Sequence, residues 1–239
     1  MTTDKTTQYF SSWWAILFVF LALNLVPVPF ALLVGSLGEW VYQNPVLVDM
    51  NYLGEVQLHP IADNLTSILS MTALIAFIVW RMKKRNIDLT VLGSLDVKRR
   101  DVFFGTVLLA LFIALEEIYM WILGIEMPEG FITFMLSEPI ILGLISVVII
   151  APVVEEFLFR GFLFSQLKRT KLGAWGAVSL SSLLWTIIHF QYEPLILFVL
   201  FIFGIFLGYI RMAYGSLSLP IILHAMNNAF AFGLAYFLY

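Results

Sequence analysis

Long apolar runs separated by short polar stretches dominate the chain. A helix that crosses the hydrocarbon core of a bilayer needs roughly 20 mostly apolar residues. On that rule the pattern predicts seven spans: Trp13 to Leu37, Asn64 to Trp80, Val102 to Leu123, Pro139 to Phe164, Ala174 to Phe190, Pro194 to Ile210 and Leu217 to Leu238. The fourth is long enough to tilt, break or leave the bilayer, which would give eight helices instead. Pro27 and Pro29 predict a kink in the outer half of the first. That first run follows the polar start MTTDKTTQYFSS, whereas a signal peptide has a shorter apolar region, a basic start and a small-residue cleavage site. It reads as a retained membrane helix.

Composition turns this pattern into a fold class. Of 239 residues 61% are hydrophobic and 12% charged, against about 45–50% and about 25% in soluble domains. The expectation is an all-α, polytopic transmembrane bundle forming a single integral membrane domain over residues 1–239. The loop from Gly38 to Asp63 is its largest extramembrane piece and is too small to be a separate domain. A net charge of -3, with basic residues scattered in short loops, argues against a nucleic-acid partner and leaves the lipid bilayer as the evident one. With no cysteine there is no disulfide framework, thiolate nucleophile or thiolate metal site.

Charge also orients the chain. Lys and Arg stay on the cytoplasmic side. They cluster after the second span (Arg81, Lys83, Lys84, Arg85, Lys98, Arg99, Arg100) and after the fourth (Lys168, Arg169, Lys171). The loops after the first, third and fifth spans carry Glu39, Asp49, Glu55, Glu126, Glu129, Glu138 and Glu193 and no Lys or Arg. Seven spans then place the N-terminus in the cytoplasm and the C-terminus outside, in the plasma membrane if the source is bacterial.

Against this background few polar residues fall at membrane depth: Asn24, Glu116, Glu117, Glu155, Glu156, Arg160, His189, His224, Asn227 and Asn228. Intramembrane charge costs at least a few kcal/mol per residue, so it marks a functional site by default. Glu156 and Arg160 are four apart and stack on one helix face as an ion pair. Glu155 is turned about 100° from its neighbour, which leaves it as the free carboxylate that a general base requires. His224 and Asn228 share a face in the same way, and Trp185 precedes His189 by one turn. Depths counted at 1.5 Å per residue let these groups meet in the inner or middle bilayer, with His189 the least comfortable fit. Glu, two His and Asn without Ser, Cys or Asp suit peptide hydrolysis. The carboxylate takes a proton from water, the histidines bind water, a metal or the leaving amine, and the amide donates to an oxyanion. The zincin pattern H-E-x-x-H is absent.

Elsewhere, Glu116 and Glu117 have no arginine one turn on; snorkelling at the outer end of the third span is sufficient to explain them, and lining the cavity is the alternative. Gly204 and Gly208 form a G-x-x-x-G that permits close helix packing. His59, beside Pro60, reads as a solvated loop residue.

The order Glu155-Glu156-x-x-x-Arg160, Trp185-x-x-x-His189, His224-x-x-x-Asn228 resembles the CAAX protease and bacteriocin-processing (CPBP, or Abi) family of intramembrane proteases, whose pattern is E-E-x-x-x-R, F-x-x-x-H and H-x-x-x-[N/D]. The resemblance covers residues 139–239, and the first three spans match only as apolar helices. Trp185 stands where the family often has Phe, which keeps an aromatic and at most reshapes a pocket wall. The resemblance implies that Glu155 activates water, His189 helps hold it, His224 and Asn228 stabilise the oxyanion, and Glu156 and Arg160 organise the site. Family members are often labelled metalloproteases. Glu155, His189 and His224 are the candidate ligands for a zinc or other divalent ion with an open position, and glutamate-activated water without metal is equally compatible. The substrate expected is a protein or peptide in or at the membrane, processed in CAAX fashion or as a bacteriocin or signalling peptide. A non-proteolytic scaffold or bacteriocin self-immunity protein of the same fold is the alternative. A transporter would show repeats or paired broken helices, which the sequence lacks.

Overall fold

Pro27 lacks the N–H that would continue the first helix and its ring crowds the preceding turn. The first apolar run accordingly divides into α1 (Ser12–Leu25) and α2 (Pro27–Tyr42) in the computed structural model, which describes residues 12–42, 47–50, 56–58, 60–136 and 139–238. Glu55, His59 and Glu138 lie outside the described residues. A small antiparallel ribbon, β1 (Leu47–Met50) and β2 (Val56–Leu58), pairs Leu47 with Leu58 in the loop that follows. The remaining elements are helical: α3 (Pro60–Lys84), α4 (Arg99–Leu123), α5 (Glu129–Met135), α6 (Ile140–Leu167), α7 (Gly173–Ile187), α8 (Pro194–Tyr214) and α9 (Ser218–Leu238).

Among the described residues six helices are long and apolar enough to cross a membrane, the first spanning Ile16–Leu37 across the Pro27 kink. The fifth expected span is corrected: α7 ends at Ile187 with 15 residues, about 22 Å at 1.5 Å per residue, short of a ~30 Å hydrocarbon core. His189 therefore sits in the turn beyond it. Residues facing out are apolar, as lipid requires, with Trp121 and Phe237 each 82% exposed. The buried core gathers Leu158, Leu163, Leu207, Leu219 and Leu223 from α6, α8 and α9 around Trp185 of α7.

The long fourth span stays one helix but changes winding. Two π-helical stretches, Leu144–Ile150 and Phe157–Leu163, flank an α-helical Ala151–Glu156. Single π turns are rare and recur at functional sites. Pro152 supplies a local reason for the first, since it has no N–H to donate and its ring needs room in the preceding turn. The Ala151 N–H bonds Ser146 O, in π register, so the donor due to Val147 O is the one Pro152 lacks. The Asn228 amide of α9 takes that place, Nδ2 donating to Val147 O at 2.9 Å. Nearby, Asn64 of α3 is fully buried, donates Nδ2 to Phe134 O at 3.1 Å and accepts from the Ser146 hydroxyl, tying α3 and α5 to α6.

The small residues of α8 act as expected. A Cβ on Gly208 would lie 2.9 Å from Val178 Cγ1, and one on Gly204 would lie 3.0 Å from Ser182 Cβ. The two glycines thus let α8 and α7 touch backbone to side chain. At the basic end of the bundle the loop before α4 clips onto the start of α9. Leu217 N donates to Ser94 O (2.8 Å) and Ser218 Oγ to Leu95 O (2.7 Å). Arg211, 4% exposed, closes this region by donating Nη2 to Leu92 O (2.9 Å) and Nε to Arg160 O (3.1 Å).

Candidate functional site

The spacing of Glu156 and Arg160 produces the expected pair: Arg160 Nη1 donates to Glu156 Oε1 at 2.9 Å with both residues at 0% exposure. Arg160 Nη2 goes to Gly204 O at 2.9 Å, an approach that a Cβ at Gly204, 3.3 Å from Nη2, would crowd. A third partner joins the pair. His224, 3% exposed, brings Nδ1 within 2.9 Å of Glu156 Oε1. A carboxylate oxygen accepts, so Nδ1 carries the proton and the lone pair of the neutral ring is on Nε2. That Nε2 stands 4.0 Å from Glu155 Oε2.

Glu155 is 8% exposed and, as its turn away from Glu156 predicts, takes no hydrogen bond from Arg160. It differs from expectation in not being free: the indole Nε1 of Trp185 donates to its Oε2 at 2.5 Å. Trp185 is 1% exposed, and a buried indole N–H needs an acceptor. The only polar signal of this bond in the sequence is the choice of Trp over another aromatic at position 185.

His189 is held by the same residue. Its Nδ1 lies 2.9 Å from Trp185 O, which can only accept, so Nε2 again bears the lone pair. The rings of Trp185 and His189 are 4.8 Å apart, and His189 stacks on Tyr192 at 6.2 Å. Among the described residues no hydrogen bond joins His189 to Glu155 or His224. The depth discrepancy thereby resolves. Trp185 lies 12 residues from Gly173 and Glu155 12 residues from Leu167, each ~18 Å at 1.5 Å per residue. The common level belongs to Trp185, with His189 one turn farther out.

Asn228 is one turn beyond His224, with one amide hydrogen committed to Val147 O and the second available. Asn24 bonds back to Phe20 O of its own helix at 2.8 Å, a local satisfaction with no site role. Glu116 and Glu117, on α4, form no hydrogen bond or ion pair with these groups among the described residues. Tyr192 was not singled out by the sequence pattern. Burial pushes its phenol up to about 12; a hydrogen bond with Gln191 opposes the rise, and the nearby Glu155 charge adds a smaller push upward. Phe131 meets its ring edge-on at 6.1 Å.

Glu155, His189 and His224 form the donor set of a catalytic zinc. They do not converge as a cage: among the described residues no group of three His, Cys, Asp or Glu is placed to hold a metal ion. Glu155 Oε2 is taken by the indole, and the His189 ring is anchored one turn away.

The sequence is similar to known proteins over part of its length. An "Uncharacterized 24.3 kDa protein" of Escherichia coli is 34% identical over 102 residues, 40% of this chain. The chain spans 47% of that relative's length. No solved structure matches. Residues 137–230, which hold Glu155, Glu156, Arg160, His189, His224 and Asn228, match the Rce1-like family, described as type II CAAX prenyl endopeptidase Rce1-like.

Proposed function

We propose that this protein is an intramembrane endopeptidase that hydrolyses a peptide bond of a membrane-associated protein or peptide, with Glu155 as general base. One observation carries the reading: a buried carboxylate whose Oε2 is 4.0 Å from Nε2 of His224. A water within about 2.6–3.2 Å of both atoms fits that separation and is poised for deprotonation. Glu155 takes the proton as the water oxygen attacks the scissile carbonyl, and that proton goes to the amine nitrogen as the C–N bond breaks and the tetrahedral intermediate collapses to acid and amine. His224 Nε2 accepts from the attacking water and, on receiving the proton from Glu155, donates to the tetrahedral oxyanion before that proton passes to the leaving amine. The Glu156 carboxylate at Nδ1 supports the protonated ring. The second Asn228 hydrogen is the other donor for the oxyanion, and His189 Nε2 is a further acceptor for water on the outer side. Glu156 and Arg160 keep His224 in the tautomer this scheme needs.

The family matched by residues 137–230 is described by prenyl-peptide cleavage, which makes a lipidated C-terminal peptide the first substrate class to test. The basic clusters at Arg81–Arg85, Lys98–Arg100 and Lys168–Lys171 favour a cytoplasmic position for the end of the bundle that carries them. The test is comparative proteomics of peptide termini in membranes of cells carrying wild-type or Glu155→Gln protein, with farnesylated and unlipidated CAAX-type peptides added as separate arms. Termini that appear only with wild type support the reading. Identical termini in both, with both proteins folded and inserted, overturn it in favour of a non-proteolytic scaffold.

A further inference from the structure

Trp185 touches more of the site than any group assigned a catalytic role. Its indole N–H holds Glu155 Oε2 at 2.5 Å and its backbone carbonyl holds His189 Nδ1 at 2.9 Å. Its ring meets the His224 ring edge-on, at 5.6 Å and 88°. The Arg160 guanidinium lies 5.0 Å over its face. We propose that Trp185 is a positioning residue that aims the Glu155 carboxylate at the water it shares with His224 Nε2 and fixes the tautomer of the His189 ring, a role that rests on Glu155 being the base.

Glu155 sits on the short α-helical stretch between two π segments, and among the described residues the Arg160 side chain bonds only Glu156 and Gly204 O. Among the described residues the indole N–H is the hydrogen-bond donor to Glu155. Without it, rotation about the last side-chain bond, broad and roughly two-fold for Glu, would carry Oε2 away from His224 Nε2. The cation above the ring adds a second effect. A positive charge on the indole face draws electron density from the ring and strengthens N–H donation in a poorly screened interior. The Glu156–Arg160 pair thus reaches Glu155 through the indole without bonding it. The carbonyl contact works on the other side, fixing the His189 tautomer and leaving Nε2 as acceptor.

Packing alone would ask only for a large aromatic at this position, and Trp185→Phe keeps one while deleting the donor. The first readout is the indole ¹H–¹⁵N spectrum of tryptophan-labelled protein in nanodiscs. One strongly downfield signal should vanish in Trp185→Phe and move upfield in Glu155→Gln. The second is cleavage of the precursor peptide identified by the termini comparison. Trp185→Phe should lower kcat by about 10- to 100-fold, the usual loss on removing a group that orients a reacting one, with KM within about twofold. If Trp185→Phe fails to fold, site-specific benzothienylalanine, which replaces only the N–H by sulfur, must give the same kcat loss. Unchanged kcat in either variant, or an indole signal indifferent to Glu155→Gln, overturns the proposal. Normal cleavage by Glu155→Gln would instead refute Glu155 as base, while the indole signal would still report whether the bond exists.

Discussion

Glu156 and Arg160 are both at 0% exposure, and three hydrogen bonds converge on them: Arg160 Nη1 and His224 Nδ1 on Glu156 Oε1, and Arg160 Nη2 on Gly204 O. Removing either charge alone strands the other in a dry interior, at a cost of about 3–5 kcal/mol, or roughly two to three and a half decades in the folding equilibrium. Replacing both by apolar side chains removes the stranded charge and is often neutral or stabilising by about 1–4 kcal/mol. Glu156→Met and Arg160→Met should therefore each lower the thermal midpoint sharply, while the double variant returns near to wild type. The assay is thermal unfolding in detergent, read by tryptophan fluorescence and by retention of monodisperse protein, and arranged as a double-mutant cycle. The double variant should remain inactive, because His224 Nδ1 has lost the carboxylate that fixes its tautomer. A double variant as destabilised as the sum of the singles, or a single variant with an unchanged midpoint, would refute the reasoning.

Four further outcomes are expected. Gly204→Ala puts a Cβ 3.0 Å from Ser182 Cβ and 3.3 Å from Arg160 Nη2, so it should cost about 1–3 kcal/mol by overpacking. Gly233→Ala, which meets nothing within 4 Å, should cost none in the same unfolding assay. Asn228→Ala leaves Val147 O without its donor, for about 1–3 kcal/mol; in a Pro152→Ala background, which supplies the missing N–H, the loss should shrink, and equal losses in both backgrounds would refute the Asn228–Pro152 link. Tyr192 has a folded pKa raised to about 12 by burial and then by Glu155. Its stabilising contribution is complete below the unfolded value of about 10 and is lost as pH rises from there through about 12; Tyr192→Phe should flatten that decline, and phenolate absorbance assigned to Tyr192 should appear at lower pH in Glu155→Gln. Because Glu155, His189 and His224 do not converge on a metal site, dialysis against chelator should leave Glu155-dependent cleavage intact; a stoichiometric metal whose removal abolishes turnover would show a rearranged site.

The spans were legible because bilayer thickness imposes a length of about 20 apolar residues that no soluble fold demands. The misjudged fifth shows the limit of that rule. Apolar composition continues to Phe190, but α7 stops at Ile187. His189 turns onto Trp185 O, and Pro194 holds Glu193 in extended backbone (φ -62, ψ 152). The Glu156–Arg160 pair was legible because it is local, four residues apart on one helix. The partner of Glu155 was not, being 30 residues away on another helix and of a type that scores as apolar. Asn228 was placed on the correct face, but its bond to Val147 O depends on the π register beside Pro152, which periodicity at 3.6 residues per turn cannot reveal.

The central claim, that Glu155 is the base of a peptide hydrolase, is tested most directly by the turnover of purified, reconstituted Glu155→Gln protein on the precursor peptide that the wild type cleaves. Gln keeps the size and can still accept from Trp185 while losing the basic oxygen. A fall in kcat of about 10²–10⁴, with the thermal midpoint and KM near wild type, is predicted. A kcat within a few-fold of wild type would contradict the account.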